Sequence, residues 1–431
     1  MLVELAYGRG SLALNLPPGA EVTVINKRPL PLLADPAAAV QRALGAPIGA
    51  PPLRQLARGR RNACILICDI TRPVPNRLFL RPMIEQLIDA GIAAAEITVL
   101  VATGLHRPNE GAELAELVGD PWVLSTVRVE NHFAREDRDH VTLGNTSRGT
   151  PVRLDRRFVQ AGLRIVTGLV EPHFMAGYSG GRKVIAPGVA HAETIRTLHS
   201  ARFMEDPLAR QCNLEGNPLH EEQLEIVRML GEVYGLDTVI DAQRRLAHVS
   251  FGDIVQSHAA AVELVRGSVE VPLPRRFATI VTSAAGYPLD KTYYQTVKAM
   301  VTPIDILAPG GRIIVASECS EGLGSRDFRA AQQRLVAMGP DTFVRMISAK
   351  TLADIDEWQT EMQLKPMRVG HLSLYTTGLD AQERELTGVE MVERIEEAVA
   401  RDIARAGDAA VAVIPEGPYV VPFFAPAPTS A

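Results

Sequence analysis

Cysteine and tryptophan are scarce in this chain of 431 residues, which contains four cysteines and two tryptophans. Four scattered cysteines are too few for the disulfide framework of a small secreted domain. Cys64 and Cys68 lie in the apolar run ACILIC, so we expect both to be buried as small apolar side chains. Uninterrupted apolar stretches stay well below the roughly 18 residues of a membrane span, so the sequence predicts no transmembrane helix.

A strong excess of charge of one sign is also missing. Lys and Arg number 45 and Asp and Glu number 50, which gives a formal net charge of −5. A dedicated nucleic-acid-binding protein normally has a basic face, and this balance argues against one. The first ten residues, MLVELAYGRG, do not show the basic and apolar regions of a signal peptide. We therefore predict a cytoplasmic protein that binds neither nucleic acid nor membranes.

Short aliphatic runs alternate with longer amphipathic stretches, which is the pattern of an α/β fold with parallel strands. We predict two α/β domains with mostly parallel sheets and an active-site cleft between them. The N-terminal domain covers 1–270 and the C-terminal domain covers 271–410. A strand and tail over 411–431 are predicted to return to the N-terminal domain. The predicted strands are 63–68, 97–102, 164–170, 277–283 and 312–317, and the predicted helices are 78–90, 221–234, 254–266 and 391–404.

Unusual polar motifs follow four of these strands. They are DITRPVPN (69–76), TGLHRP (103–108), GLVEPHFMAGYSGGRK (168–183) and GYPLDKTYYQTVK (286–298). Because open α/β sheets bind ligands at the carboxyl ends of their strands, these motifs predict one site built from several loops.

The first two motifs each leave two interpretations open. The guanidinium of Arg72 suits a carboxylate or a phosphate, but the segment also fits a simple helix start with prolines. His106 suits acid–base catalysis in a glycine-containing loop, although a loop histidine is often structural. We interpret His132, in VENHF, as structural.

The third motif is the densest in chemistry. Gly177, Gly180 and Gly181 allow an anionic ligand to approach the backbone closely, and the spacing is not that of a Walker A loop. His173, Arg182 and Lys183 add an imidazole, a guanidinium and an amine, without the ligand spacing of an ordinary zinc site. A glycine-rich turn with solvated basic residues is the alternative.

The fourth motif opens a predicted helix. Tyr294 and Lys298 share one face of that helix at positions i and i+4, and Gln295 and Lys298 are i and i+3 neighbours. An exposed helix start is the alternative interpretation. For Trp358, in DIDEWQTEM, a helix-packing role is the default interpretation.

Taken together, the motifs resemble those of the lactate racemase family, in matching order from about Cys68 to Trp358. Family members often have glycine where Ala285 stands here. The resemblance implies a nickel-pincer nucleotide cofactor (Ni(II)-pyridinium-3,5-bisthiocarboxylic acid mononucleotide), made by separate cofactor-synthesis enzymes. It also implies an isomerase that inverts C2 of a small-molecule 2-hydroxy acid, lactate or a related acid. Inversion would proceed by hydride transfer to and from the cofactor through a 2-keto acid.

The resemblance also assigns roles to single residues, with the cofactor anchored in 1–270 and the substrate contacted largely from 271–410. His106 and His173 match the acid–base catalysts, Lys183 matches the covalent anchor of the cofactor, and His199 matches the nickel ligand. The cofactor-binding set is Asp69, Ile70, Thr71, Arg72, Ser179, Gly180, Gly181 and Tyr294. The substrate-binding set is Arg72, Gln295, Lys298 and Trp358. Two alternatives stay open: a non-catalytic nickel or cofactor carrier, which would not need two such histidines, and a zinc-type hydrolase.

Overall fold

The computed structural model describes residues 1–426, and the last five residues of the predicted tail, 427–431, lie outside the described residues. The strands are β1 Leu2–Tyr7, β2 Gly10–Asn15, β3 Glu21–Val24, β4 Ala63–Cys68, β5 Ile97–Ala102, β6 Arg128–Asn131, β7 His140–Asn145, β8 Pro151–Asp155, β9 Leu163–Leu169, β10 Pro172–His173, β11 Gly177–Tyr178, β12 Tyr234–Ile240, β13 Leu246–Asp253, β14 Glu270–Leu273, β15 Phe277–Ser283, β16 Leu307–Ala316, β17 His371–Tyr375, β18 Glu390–Met391, β19 Ala410–Ile414 and β20 Val421–Phe424.

Helices connect most of these strands, as a parallel sheet requires. They are α1 Pro36–Gly45, α2 Leu53–Ala57, α3 Asn76–Asp89, α4 Gly111–Val118, α5 Pro121–Thr126, α6 Arg156–Val159, α7 Arg182–Ile185, α8 Ala192–Leu198, α9 Ala201–Met204, α10 Pro218–Leu230, α11 Ile254–Val269, α12 Tyr293–Val301, α13 Arg326–Met338, α14 Pro340–Ser348, α15 Glu357–Met367, α16 Ala381–Leu386 and α17 Ile395–Ala406. The predicted α/β class with mostly parallel sheets is confirmed.

The chain divides into two compact units. The N-terminal unit comprises Pro29–Leu198 and Leu208–Gly267, and the C-terminal unit comprises Met1–Arg28, His199–Pro207 and the chain from Ser268 onward. This differs from the predicted division, which assigned the whole of 1–270 to one domain. Within 411–426, β19 pairs with β15 on one side and with β3 on the other, and β20 pairs with β14.

The N-terminal unit is built on a six-stranded sheet in the order β13-β12-β9-β4-β5-β6. These strands are parallel except β13, which is antiparallel to β12. The chain runs outward from β4 to β5 and β6 and then returns to the other side of β4 as β9. The strand order therefore reverses between β4 and β9, and this reversal is where ligands bind in such sheets.

The C-terminal unit repeats this design. Its sheet has the order β18-β17-β16-β15-β19-β3, and every neighbouring pair is parallel. The strand order reverses between β15 and β19, so the motif that begins at Gly286 follows the strand at this reversal. The N-terminal segment belongs here because β3 extends the sheet beside β19 and because Leu5 and Leu14 pack into the same core as Val281.

Ala285, where glycine is common in the resembling family, has a φ of 65°. A left-handed residue with a Cβ atom costs roughly 1–2 kcal/mol, and glycine avoids that cost but is more flexible in the unfolded chain. We therefore expect Ala285→Gly to raise the free energy of unfolding by about 0.5–1 kcal/mol, measured by denaturant titration. Ala284→Gly, one residue earlier and without a positive φ, is the control and should destabilise the protein. A destabilised Ala285→Gly variant would contradict the strain argument.

Both predicted apolar cysteines lie on β4. Cys64 is buried, and burial raises the pKa of its thiol; burial also raises the pKa of Cys68 to about 12. Both therefore stay protonated at neutral pH. Among the helices of residues 1–426, none has the length and apolar character that crossing a membrane would need.

Candidate active site

Asp69 and His106 meet where β4 and β5 end. The strands are in register, with Cys68 opposite Ala102, so the loops that follow them start side by side. The Asp69 carboxylate is buried, and its Oδ2 lies 2.6 Å from Nδ1 of His106, whose side chain is 62% exposed. Burial raises the pKa of Asp69, but hydrogen bonds from His106 and Thr71 outweigh it, so the pKa lies below its usual range. Asp69 is therefore an anionic acceptor for His106.

The rest of the first motif is held by side chains of the same loop cluster. The Thr71 hydroxyl donates to Asp69 Oδ1 at 2.6 Å, and the Ile70 amide donates to Asn109 Oδ1 at 3.2 Å. Arg72 forms an ion pair with Glu171, which follows β9. This pair joins the two loops at the strand-order reversal. The sequence pattern assigned no role to Glu171. An acidic residue directly after a buried strand is the signal that could have indicated such an ion pair.

His173 is oriented by its own turn. It ends the two-residue strand β10, which pairs with β11, and its side chain is buried. The backbone amides of Met175 and Ala176 donate to His173 Nδ1 at 3.4 and 3.2 Å. Nδ1 is therefore a hydrogen-bond acceptor here, in contrast to Nδ1 of His106 beside its carboxylate.

Ser179, Gly180 and Gly181 form the tight bend before α7, and Lys183 lies in the first turn of that helix. The Ser179 hydroxyl donates to Leu169 O at 2.7 Å and accepts from the Glu171 amide at 3.0 Å, which ties the bend to the end of β9. Gly180 and Gly181 have φ values of 78° and 47°. The Ser179 hydroxyl thus bonds to the protein itself, and the predicted contact of this bend with a cofactor stays a prediction.

A buried polar cluster of Asp237, His258 and Arg182 supports the bend Ser179–Gly181. The Gly181 amide donates to Asp237 Oδ1 at 3.0 Å, and His258 Nε2 lies 2.8 Å from Ser179 O. Arg182 is buried, donates to Ala176 O at 2.9 Å, and has its pKa lowered to about 9 by burial. The sequence placed Arg182 among ligand-facing cations, whereas the structure gives it a supporting role. Asp237 and His258 could not be found from the sequence because they lie far from the motif along the chain.

Gly180→Ala tests whether this bend must have its observed shape. An added Cβ would lie 2.7 Å from Val170 Cγ2 and 3.0 Å from Asp237 Oδ1, in a left-handed residue. We expect the free energy of unfolding to fall by at least about 1–2 kcal/mol, measured by denaturant titration. Gly45→Ala is the control, because its Cβ would enter open space at the end of a helix. Equal stability of the two variants would show that the bend tolerates a side chain.

Three residues predicted for the site lie together in the C-terminal unit. The rings of His199 and Trp358 are 4.6 Å apart between centroids, at an interplanar angle of 41°. Tyr294 lies on α12, and its ring packs against Phe328 at 5.1 Å. Burial and the charge of Asp356 raise the pKa of Tyr294, while a hydrogen bond with Trp358 opposes that rise. Trp358 therefore joins the predicted nickel ligand to the predicted cofactor contact.

Gln295 and Lys298 lie on α12 one turn apart. The Thr292 hydroxyl caps this helix by accepting from the Gln295 amide at 3.4 Å. The side-chain Oε1 of Gln295 is buried and has no hydrogen-bond partner among residues 1–426. A buried acceptor without a partner costs stability, so this atom is suited to receive a donor from a ligand. His106, His173 and Lys183 belong to the N-terminal unit, whereas His199, Tyr294, Gln295, Lys298 and Trp358 belong to the C-terminal unit.

His132 and His191 belong to a separate cluster around His140. The ring centroids of His132 and His140 are 5.1 Å apart, and those of His140 and His191 are 4.9 Å apart. His132 Nδ1 lies 3.0 Å from a carboxylate oxygen of Asp155, and both side chains are buried. The structural interpretation of His132 is in keeping with this packing.

The cluster predicts a loss of stability in mild acid. Burial lowers the pKa of both His140 and His191. Neighbouring histidines lower the pKa of His140 further, against a hydrogen bond to the Glu136 backbone and the charge of Asp155. Arg153 lowers the pKa of His191 further, against the charges of Asp137 and Glu193. The unfolded chain therefore binds more protons than the folded protein below about pH 6.5, and stability falls as the pH drops through that range.

We expect the melting temperature to fall between pH 7 and pH 5 and His140→Gln to reduce this dependence. His140 Nε2 is buried and lacks a partner within the described chain, so its protonation is costly. His371→Gln, at an exposed position, is the control and should melt with the wild-type pH dependence. A His140→Gln variant with an unchanged slope would contradict this origin of the acid sensitivity.

Within residues 1–426, no group of three or more His, Cys, Asp or Glu side chains is arranged to hold a metal ion. The imidazole of His199 and the amine of Lys183 are the donors that the sequence selected. An imidazole is a ligand type that suits nickel, and the role of His199 as the nickel ligand stays a prediction.

Comparison with known proteins gives a consistent result. Residues 7–211 match the model of the lactate racemase N-terminal domain, and residues 275–421 match that of the lactate racemase C-terminal domain. The lactate racemase of Lactiplantibacillus plantarum is 31% identical over 89% of this chain and 90% of its own length. That of Thermoanaerobacterium thermosaccharolyticum is 32% identical over 76% of each chain.

Solved structures agree. The lactate racemase apoprotein from Thermoanaerobacterium thermosaccharolyticum superimposes with a TM-score of 0.89 at 27% identity, covering 98% of this chain and all of its own. A Thermotoga maritima protein shares the fold with a TM-score of 0.66 at 16% identity, covering 86% of this chain and 96% of its own. The loops of the chain cluster at a strand-order reversal, both domain models match it, and these relatives are similar to it over most of its length. The chain therefore belongs to the lactate racemase family of isomerases.

Proposed function

We propose that this protein racemises or epimerises a 2-hydroxy acid, lactate or a related acid, through a 2-keto acid. The observation that carries the proposal is the Asp69–His106 pair, an exposed imidazole held by a buried carboxylate at 2.6 Å. Such a ring can accept the proton of a substrate hydroxyl and return it. His173, in the same unit, is the second proton-transfer group, because inversion requires a group on each face of C2 that can remove or return the hydroxyl proton.

We propose the nickel-pincer nucleotide as the cofactor, anchored covalently by Lys183 and ligated by His199. When bound, this group supplies the acceptor and donor of the hydride that leaves and returns to C2. The loop Asp69–Arg72, the bend Ser179–Gly181 and Tyr294 would hold its nucleotide and ring. Separate enzymes would have to make the cofactor, and they are the other partners that this function requires.

The remaining residues would orient the substrate. Arg72 pairs with Glu171 and presents a planar fork, a shape that is suited to the substrate carboxylate. Lys298 would bind the same carboxylate, and the unpartnered Oε1 of Gln295 would accept from the substrate hydroxyl. Trp358 would exclude water beside His199. When the carboxylate is fixed, only the other groups on C2 change position during inversion.

The direct test is incubation of cofactor-loaded protein with single enantiomers of a panel of 2-hydroxy acids, followed by chiral analysis over time. We expect both enantiomers of at least one acid to converge on the same mixture. The panel should include small, dicarboxylic, aromatic and sugar acids. Loaded protein that leaves every enantiomer unchanged would instead support the cofactor-carrier alternative.

A further inference from the structure

His106 and His173 are held by opposite kinds of hydrogen-bond partner. Nδ1 of His106 faces an ionised carboxylate, which can only accept a hydrogen bond. Nδ1 of His173 faces two backbone N–H groups, which can only donate. The ring nitrogen that carries the proton in a neutral histidine is set by such partners. The two rings are therefore held as different tautomers.

At His106 the consequence is a proton acceptor. With Nδ1 protonated toward Asp69, the neutral ring has its lone pair on Nε2, at the end of a largely exposed side chain. Two arginines near this loop are paired with other residues, since Arg107 binds Glu113 at 2.7 Å and Arg72 binds Glu171. The Thr71 hydroxyl fixes the second oxygen of Asp69, so the carboxylate cannot rotate freely.

At His173 the consequence is the reverse. With its lone pair on Nδ1 toward Met175 and Ala176, the neutral ring has its hydrogen on Nε2. To accept a proton at Nε2, the ring would first have to become the Nδ1–H tautomer and give up both backbone bonds. The side chain is 7% exposed, so water does not readily replace them.

We propose that Asp69 is a positioning residue that holds His106 as a proton acceptor, while the turn after His173 holds that neutral ring as a hydrogen-bond donor that cannot take up a proton at Nε2, so the resting enzyme is prepared to deprotonate one enantiomer of its substrate. The catalytic part of this inference rests on the proposed function. The enantiomer whose hydroxyl faces His106 loses its proton directly to Nε2. The mirror-image enantiomer reacts only after the His173 turn has been rearranged.

The first test needs neither cofactor nor substrate. In the ¹⁵N-histidine-labelled full-length protein, long-range ¹H–¹⁵N correlation spectra report which ring nitrogen of each neutral histidine is protonated. His106→Gln and His173→Gln identify the signals. We expect protonated Nδ1 in His106 and protonated Nε2 in His173. The same tautomer in both rings, or the reversed assignment, would overturn the proposal.

Asp69→Asn then tests the positioning role. Because an amide can donate as well as accept, we expect His106 to lose its single tautomer while the His173 signal is unchanged. Glu113→Gln removes one negative charge from the neighbouring helix α4, where Glu113 pairs with Arg107, and it should leave both tautomers as in the wild type. A fixed Nδ1–H tautomer of His106 in Asp69→Asn would overturn the role of Asp69.

Activity provides a separate measurement. In cofactor-loaded Asp69→Asn we expect kcat/KM to fall about 10²-fold or more, the usual contribution of a well-placed acid or base, with Glu113→Gln within a few-fold of the wild type. A wild-type kcat/KM in Asp69→Asn would overturn the positioning role. If the spectra match but no 2-hydroxy acid is racemised, the proposed function fails while the tautomer assignment stands.

Discussion

Lys183→Ala is expected to abolish the covalent attachment of the cofactor and to remove racemase activity. Lys183 follows the bend Ser179–Gly181, which two different contacts fix: Ser179 to the end of β9, and Gly181 to the buried Asp237. The backbone from which the Lys183 side chain extends is therefore held in place, which favours attachment of the cofactor at this one amine. Intact mass spectrometry of protein co-expressed with the cofactor-synthesis enzymes should show an adduct in the wild type and none in the variant.

Two controls separate attachment from charge and from folding. Lys183→Arg keeps the positive charge but replaces the amine that would form the link, so it should also lack the adduct. Lys291→Ala removes a lysine that pairs with Glu321 in the C-terminal unit, and it should keep the adduct. We expect activity of both Lys183 variants to fall by about 10²-fold or more, because an unanchored cofactor loses its orientation. An adduct of unchanged mass in Lys183→Ala would reject the assignment.

The strands at the centre of each sheet were predictable from the sequence because they are buried on both faces. The runs 63–68, 97–102 and 277–283 became β4, β5 and β15 with the predicted bounds. Prediction was poorer where an element is short or lies at the edge of a sheet. The expected helix over 391–404 starts with the edge strand β18, and α17 begins only at Ile395.

The assignment of segments to units was not predictable from local patterns. The strand β3 looks like any other short strand. Its four residues carry no signal that it pairs with β19, which lies near the other end of the chain. His199 similarly begins a short segment that belongs to the C-terminal unit, although the residues on both sides of the segment belong to the other unit. Such pairings depend on long-range packing.

For the candidate site, the sequence indicated residue types but not which residues pair with each other. The motifs pointed to Asp69 and His106 separately, and only the register of β4 with β5 places them in contact. In the structure the two oxygens of Asp69 bond to Thr71 and His106, and its predicted contact with a cofactor stays a prediction. Because hydrogen-bond partners are set by tertiary geometry, the different environments of His106 and His173 could not be seen in the sequence.

His106→Ala and His173→Ala are each expected to slow racemisation by about 10²–10⁴-fold. Inversion removes the hydroxyl proton on one face of C2 and returns it on the other, so losing either ring blocks one of the two half-reactions. Enantiomers have equal free energies, so the equilibrium constant is one, and kcat/KM must be equal in both directions for every variant. Steady-state rates therefore cannot tell the two histidines apart, and a single half-reaction must be measured.

The informative measurement is formation of the 2-keto acid in a single turnover, by rapid quench of each loaded variant with each pure enantiomer. We expect His173→Ala to oxidise one enantiomer and His106→Ala the other, because each variant keeps one proton-transfer group. The burst that survives in His173→Ala should be the faster one, since His106 is already held as an acceptor by Asp69, whereas His173 must first give up its bonds to Met175 and Ala176. Near wild-type racemisation by both variants, or the same enantiomer preference in both, would rule out two proton-transfer groups on opposite faces of C2.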